Sequence, residues 1–241
     1  MISREEIAID ARWLVGGIGS YTRSLVEGLA ASGRSGVRVI TAPAHAPGFA
    51  AQKLRVAVDA ASIYGLREQF SIPLRARGCR LLHVPHFNVP LLYTGKLVVT
   101  LHDLILTTEE PYRASLASRL YARPMLRLAV RMADHLITVS EASRRKILAA
   151  FALPASKVTV IPNAARPVFA PRDPDEARRR LEALAGPGGA CLLYVGNFKP
   201  HKNVETLLRA LALLPARPRL LLVGGSDREY RPLAEIGRAH V

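Results

Sequence analysis

Acidic residues are scarce in this chain: 19 Asp and Glu stand against 34 Lys and Arg in 241 residues, a formal net charge of +15. Such a balance favours anionic partners, and nucleic acid is the first class to weigh. The basic residues are mostly scattered arginines, without zinc-finger spacing or an aromatic-rich RNA-binding signature. Nucleic acid is therefore not expected, and the charge better fits an anionic membrane face or a polyanionic substrate. The abundance of Ala, Arg and Pro is equally what a GC-rich genome produces. Cysteine is nearly absent, and the two present, Cys79 and Cys191, are too far apart for a metal-ligand spacing. A disulfide framework is excluded, and both are expected to be reduced core residues of a cytoplasmic protein. No apolar run approaches the ~20 residues of a membrane span. The charged segment Met1 to Asp10 has no apolar stretch of the kind a signal peptide needs.

What the chain does have is alternation of short apolar runs with amphipathic segments, the pattern of an α/β protein. Glu6 to Asp10 reads as a strand and Ser20 to Ala31 as a helix, with Gly16, Gly17, Ile18 and Gly19 in a loop at the helix start. Glycines there let backbone N–H groups approach a ligand. A dinucleotide fingerprint also requires an acid ending the next strand, yet Val37 to Thr41 runs into Ala42 and Pro43. A nicotinamide cofactor is not expected. A second such unit comes late: Leu192 to Val195 is a strand, Gly196 a turn, and Val204, Leu207, Leu208, Leu211 and Leu214 form one apolar helix face. Asn203 and Glu205 suit its start, and Lys199, His201 and Lys202 lie just before it. Two lysines at a helix N-terminus suit a dianionic phosphate group, although solvated surface charge is the commoner use of such residues.

In between, Ala42 to Ala51 reads as a loop and Leu66 to Arg77 as a helix despite Pro73. Leu81 to Val84 is a strand running into Pro85, His86, Phe87, Asn88, Val89 and Pro90, and Leu97 to Leu101 delivers His102 and Asp103. Two parallel strands that each end in a histidine place both at the carboxyl edge of a sheet, where α/β proteins build their sites. Taken singly, either histidine is more often structural. Tyr112 to Met132 follows as a long helix interrupted or kinked near Pro124, then His135 to Val139 as a strand and Ser140 as a helix cap. Val158 to Ile161 is a strand, Asp175 to Ala185 a charged helix, and Arg219 to Val223 a strand closed by Gly224 and Gly225.

Several of these stretches resemble GT-B glycosyltransferases of the family-4, mannosyltransferase-like type. Gly16-Gly17-Ile18-Gly19-Ser20-Tyr21 is similar to their G-G-I-G-R-Y loop, with Ser20 in place of arginine. The run from His83 to Pro90 followed by Val98 to Leu104 resembles their first half, Ser140 and Ser143 match V-S-x-x-S, and Pro162-Asn163-Ala164 stands for P-N-G. Gly196, Pro200, Lys202 and Asn203 match G-x-x-x-P-R-K-N, with His201 in place of arginine. The resemblance implies two Rossmann-like domains facing across a cleft, an acceptor-side domain over 1–165 and the start of a nucleotide-sugar domain over 166–235. It implies transfer of a sugar from a nucleotide diphosphate sugar, with retention of configuration and no metal or cofactor. GDP-mannose is the expected donor, with UDP-sugars as alternatives, and a glycan or lipid-linked molecule is the acceptor. His102, Asp103 and Lys202 are the implied catalytic residues. Gly16, Gly17, Gly19, Ser20, His86, Asn88, Ser140, Glu141, Gly196, Asn197 and His201 are the implied substrate-binding ones.

The family's paired glutamates find no match here. Residues 236–241 coincide with one reading frame of a common sequencing adapter, so the second domain is expected to be cut short. Two other classes stay open: a GT-B nucleotide-sugar epimerase, which would need no acceptor, and a nonenzymatic basic binding fragment. The expected location is cytoplasmic, peripheral to the inner face of the cell membrane.

Overall fold

A computed structural model of the chain describes residues 7–33, 36–104, 116–198, 202–215 and 218–224. It divides into two compact units, Met1–Arg166 and Pro167–Val241.

The first unit is built on seven parallel strands: β1 (Ile7–Asp10), β2 (Val37–Thr41), β3 (Arg55–Val58), β4 (Leu81–Val84), β5 (Lys96–Thr100), β6 (His135–Thr138) and β7 (Val158–Val160). Their order is β3-β2-β1-β4-β5-β6-β7, every neighbouring pair parallel. The order reverses between β1 and β4. That reversal opens a crevice at the carboxyl ends of the two strands, the place where doubly wound sheets bind ligands.

Because side chains alternate along a strand, the register sorts them onto two faces. Ala8, Ile40, Leu82, Leu97 and Val99 join a buried cluster with Ile72, Met125, Leu126, Ala129 and Ile147. Ile9, Val37 and Val39 join a smaller one with Val26 and Phe49. Helix α1 (Gly16–Ala31) covers the smaller cluster through Val26 and Leu29. Helices α3 (Glu68–Arg75), α4 (Leu116–Met132) and α5 (Glu141–Phe151) cover the larger one through the Ile72, Met125 and Ile147 groups. A short α2 (Ala46–Ala50) brings Phe49 against the smaller cluster. Helices on both faces are what a parallel sheet requires, since each of its faces is apolar.

Three local expectations change. The glycine stretch is not a loop before a helix but the first turn of α1, which begins at Gly16. Glycine's poor helix propensity conceals this, whereas close packing demands it: a Cβ on Gly19 would lie 2.1 Å from the backbone carbonyl carbon of Leu14. Ala42 to Ala51 folds as a 3₁₀ turn, Pro43–His45, leading into α2. Proline at the start of each piece loses no hydrogen bond there. Strand β3 was not expected at all. Its burial is partial, with Arg55 and Val58 exposed at the sheet edge, and its apolar run is only Val56 to Val58.

The second unit contains α6 (Pro174–Ala185), β8 (Cys191–Val195), α7 (Val204–Ala212) and β9 (Arg219–Val223). Asp173 caps α6 by accepting from the N–H groups of Asp175 and Glu176. Strands β8 and β9 pair in parallel from Cys191↔Arg219 to Val195↔Val223. Their ends come so close that a Cβ on Gly224 would lie 1.7 Å from the carbonyl oxygen of Gly196.

The contrast between two glycines of α1 gives a test. Gly28 has nothing within 4 Å of an added Cβ. Gly28→Ala should therefore be neutral or stabilise by about 0.5–1 kcal/mol through helix propensity. Gly19→Ala should destabilise by about 2 kcal/mol or more, because backbone cannot move aside as a side chain can. Urea denaturation of both variants measures the difference.

Candidate active site at the sheet reversal

The carboxyl ends of β1 and β4 gather a buried polar network. Arg12, two residues past β1, is 7% exposed and donates from Nη2 to Asp10 Oδ2 at 2.8 Å and to Glu68 Oε2 at 2.9 Å. Its Nε donates to Asp10 Oδ1 at 2.8 Å, so the pairing with Asp10 is bidentate. Burial opposes the guanidinium charge, yet hydrogen bonds and attraction from Asp10 and Glu68 outweigh it and hold Arg12 protonated. Glu68, on the inward face of α3, is 2% exposed. Its Oε1 accepts from the N–H of Tyr64 at 3.0 Å and from Asn88 Nδ2 at 2.8 Å. Asn88 in turn accepts on Oδ1 from the Tyr121 hydroxyl at 2.5 Å. One carboxylate thereby ties together the segments that carry Arg12, Tyr64 and Asn88.

His86 lies in the same group, buried in the Pro-bracketed loop after β4. Its ring stacks on Trp13 with centroids 5.1 Å apart and planes 11° from parallel. Nδ1 accepts from the N–H of Asn88 at 3.1 Å, so the neutral ring carries its proton on Nε2, which faces the Tyr64 hydroxyl at 3.4 Å. Burial, with the His102 ring adding to it, pushes the His86 pKa down to about 4. Trp13, His86, Phe87, Tyr64 and Tyr121 form an aromatic group, Tyr64 lying edge-on to Trp13 and to Tyr121.

His102 sits beyond the end of β5. Its Nε2 donates to the Pro85 carbonyl at 3.2 Å, and the Tyr21 ring meets it edge-on at 4.7 Å. Burial lowers its pKa, while Pro85 and Asp103 act in the opposite sense. A second chain runs behind it on the α1 face of the sheet: the Tyr21 hydroxyl lies 3.2 Å from Thr100 Oγ1, which lies 2.9 Å from His83 Nε2. Burial, and then the His102 ring, push the His83 pKa down to about 4. On the far side, Ser140 caps α5 by accepting from the N–H of Ser143, and Ser143 Oγ donates to the His102 carbonyl at 3.1 Å. The two serines of the V-S-x-x-S pattern thus fix the His102 backbone.

His86, Asn88, His102 and Asp103 therefore meet at the edge of the sheet expected for them. Asn88 is engaged on both atoms of its amide, whereas Asp103 is exposed. Glu141 is exposed in the first turn of α5 and pairs with Arg144 at 3.7 Å. Gly16 and Gly17 are exposed in the first turn of α1 and Ser20 is exposed one turn on; the N-cap Val15 offers no side-chain acceptor and the first turn has no acid. In the second unit, Gly196 and Asn197 follow β8, and exposed Lys202 stands two residues ahead of α7. Asn203 begins that helix with φ 52°, its Oδ1 accepting from the Thr206 hydroxyl at 2.7 Å rather than from a backbone N–H. His201 lies outside the described residues, as does Lys199.

Sequence reasoning missed Arg12, Glu68, Trp13, Tyr21, Tyr64, His83 and Tyr121. Two signals were present. Asp10 and Arg12 are charges at the very end of an apolar strand, and Glu68 shares helical spacing with Ile72 and Ala76, both buried.

A family model described as a glycosyl transferase 4-like domain matches residues 16–164. The chain is 32% identical over 142 residues to O-antigen chain mannosyltransferase B of Escherichia coli, covering 58% of this chain and 36% of that protein. The structure of HepE from Anabaena in complex with UDP and glucose superposes with a TM-score of 0.72 at 21% identity, covering 97% of this chain and 65% of HepE. A glycosyltransferase from Rickettsia africae gives 0.66 at 16% identity, with 98% and 64% covered. The chain thus spans less than two thirds of the length of each of these relatives. The structural likenesses establish the fold, which is of the GT-B type.

Two outcomes follow from the buried groups. Glu68→Ala leaves Arg12 and Asn88 short of a partner inside the protein and should cost about 3–5 kcal/mol in urea denaturation. His83 and His86 titrate near 4 when folded but near the ordinary 6.5 when unfolded. Below pH 6.5 the unfolded chain takes up protons that the folded chain refuses, so stability is full above 6.5 and declines as pH falls towards about 4. Melting curves from pH 7.5 down to pH 4.5 should show this decline, and His83→Asn should flatten it.

Proposed function

The chain belongs to the glycosyl transferase 4-like family, and on that premise we propose that it is the acceptor-side half and the start of the donor-side half of a retaining glycosyltransferase. The observation that carries this reading is the reversal edge of the first unit, where His102 is held from three directions by Pro85, Tyr21 and Ser143. A nucleotide diphosphate sugar supplies the transferred sugar. The 32% identity to a mannosyltransferase favours GDP-mannose, with a growing glycan or lipid-linked glycan as acceptor. UDP-sugars are the alternative donors, since HepE was crystallised with UDP and glucose. No metal or cofactor is needed in this scheme.

The acceptor oxygen bonds to the anomeric carbon as the bond from that carbon to the phosphate oxygen breaks. The electron pair leaves with the nucleoside diphosphate, and the acceptor proton passes to its phosphate oxygen. His102 and Asp103 border the reacting sugar. With Nε2–H engaged by Pro85, a neutral His102 keeps Nδ1 as its acceptor for a sugar hydroxyl. Gly16 and Gly17 offer backbone N–H groups at the start of α1, and Ser20 offers a hydroxyl one turn on. Ser140 and Glu141 line the same edge at α5. In the second unit Gly196, Asn197, His201 and Lys202 receive the diphosphate ahead of α7, where a fixed positive charge assists departure of the leaving group. A peripheral position at the inner face of a membrane suits a lipid-linked acceptor. Among the described residues no helix is long and apolar enough to cross a membrane.

The test is sugar transfer from GDP-mannose and from UDP-sugars, by this chain and by the longer polypeptide read from its source locus. Transfer is expected from the longer form. His102→Ala should lower kcat about 10²-fold and Lys202→Ala about 10²- to 10³-fold. Neither binding nor turnover of any sugar nucleotide by the longer form would overturn the proposal, and conversion of the donor without an acceptor would make it an epimerase.

A further inference from the structure

Helix α3 carries two faces of opposite use. Glu68, Ile72 and Ala76 point into the first unit. The outward line holds Phe70 and Leu74, 67% and 64% exposed, and Leu66, 86% exposed in the turn two residues before the helix, extends it. Large apolar side chains four residues apart make one continuous stripe on a helix, and a stripe of this kind in water marks a contact surface. It does not end with the helix. Leu91 and Leu92 are exposed as well, and the Leu91 N–H donates to Gln69 Oε1 at 2.6 Å, which fastens that loop beside α3. At the other end, half-exposed Tyr64 joins the stripe to the aromatic group around His86.

The charge around the stripe is of one sign. Between residues 65 and 80 the exposed ionised side chains are Arg67, Arg75, Arg77 and Arg80, and the single acid, Glu68, is buried. Arg75 also pairs with Asp59 at 3.7 Å, an acid that is itself buried and adds no exposed negative charge. Apolar side chains bordered by arginines without acids are the composition of interfacial helices that lie on anionic bilayers, the apolar groups entering the acyl boundary and the guanidinium groups meeting phosphates. A protein partner of ordinary surface would need acids opposite four arginines and an apolar trough opposite the stripe. A bilayer supplies both without any matching shape.

We propose that the stripe Leu66–Phe70–Leu74, with Leu91, Leu92 and the flanking arginines, is a docking surface for an anionic lipid bilayer. This surface continues into the aromatic group through Tyr64, so docking sets that edge of the first unit at the lipid headgroup level. The inference names the membrane-facing surface left open by the transferase reading. It is tested without any sugar nucleotide, so failure of one leaves the other standing.

The probes are vesicles of phosphatidylcholine alone and of phosphatidylcholine with about 30 mol% phosphatidylglycerol, pelleted with the 241-residue chain. A net charge of +15 attracts anionic vesicles by itself, so the deciding variant keeps every charge: Leu66→Ser/Phe70→Ser/Leu74→Ser. These side chains are exposed, so the variant should melt as the parent does, and melting curves verify that. Expected is binding to the phosphatidylglycerol vesicles that the triple variant weakens about tenfold or more, since three apolar side chains no longer enter the bilayer. Arg67→Gln/Arg80→Gln should weaken binding separately and reduce its salt sensitivity. Equal binding by parent and triple variant overturns the proposal, leaving charge alone as the cause. So does absence of vesicle binding. A parent that self-associates in sedimentation while the triple variant does not, with vesicle binding unchanged, would assign the stripe to a second copy of the chain.

Discussion

The first unit depends on how one buried cation is neutralised. Arg12 cannot lose its proton, and removing an ion from water costs several kcal/mol even after the protein relaxes. Asp10 and Glu68 surround it, but two carboxylates against one guanidinium leave a surplus of negative charge. That surplus is spread over N–H donors: the Tyr64 backbone and Asn88 amide on Glu68, and the Arg12 backbone on Asp10. Each donor comes from a different segment. Satisfying the charge therefore requires the end of β1, the turn before α3 and the loop after β4 to be in place together. Folding of the sheet edge and assembly of the candidate site are one event.

The consequences run outward from Glu68. Its partner Asn88 is two residues from His86, whose Nδ1 accepts from the Asn88 N–H. The ring so fixed stacks on Trp13, one residue from Arg12. The same helix that buries Glu68 presents Phe70 and Leu74 to solvent, with Leu66 exposed in the turn before it. Rotation of α3 cannot improve one face without disturbing the other, because the carboxylate fixes its angle about its own axis.

How much of this is legible in the sequence follows from what each residue signals locally. The strands that end at the site announce themselves, since Leu81–Val84 and Lys96–Thr100 are apolar runs stopped by proline or by His-Asp. The histidines are visible for the same reason. The family likeness of the glycine stretch is visible too, but its conformation is not: glycine is read as loop, while the backbone of Leu14 makes it the only residue that fits Gly19. The Arg12–Glu68 pair spans 56 positions. No periodicity links them, and a lone Glu on a helix is ordinarily a surface residue. Only the burial of Ile72 and Ala76 on the same face gives its position away. Edge strand β3 is hidden because it is short, its apolar run being only Val56 to Val58.

The electrostatic character of the two units also follows from burial rather than from composition. The first unit keeps His83 and His86 neutral near neutral pH, and burial draws His102 the same way, although the chain as a whole is strongly basic. A neutral ring can orient sugar hydroxyls without opposing positive charge that develops on the sugar when its bond to phosphate breaks. Lys202, by contrast, is exposed beside a helix start, whose dipole end favours an anion. Under the proposed reaction these are complementary demands: no cation at the sugar, and one at the leaving group. Substituting a permanent cation for His102 would answer the charge of the donor in the ground state and repel the sugar at the moment of transfer. Under that same proposal, burial of the histidine in a basic protein keeps positive charge away from the sugar, where it would slow the reaction.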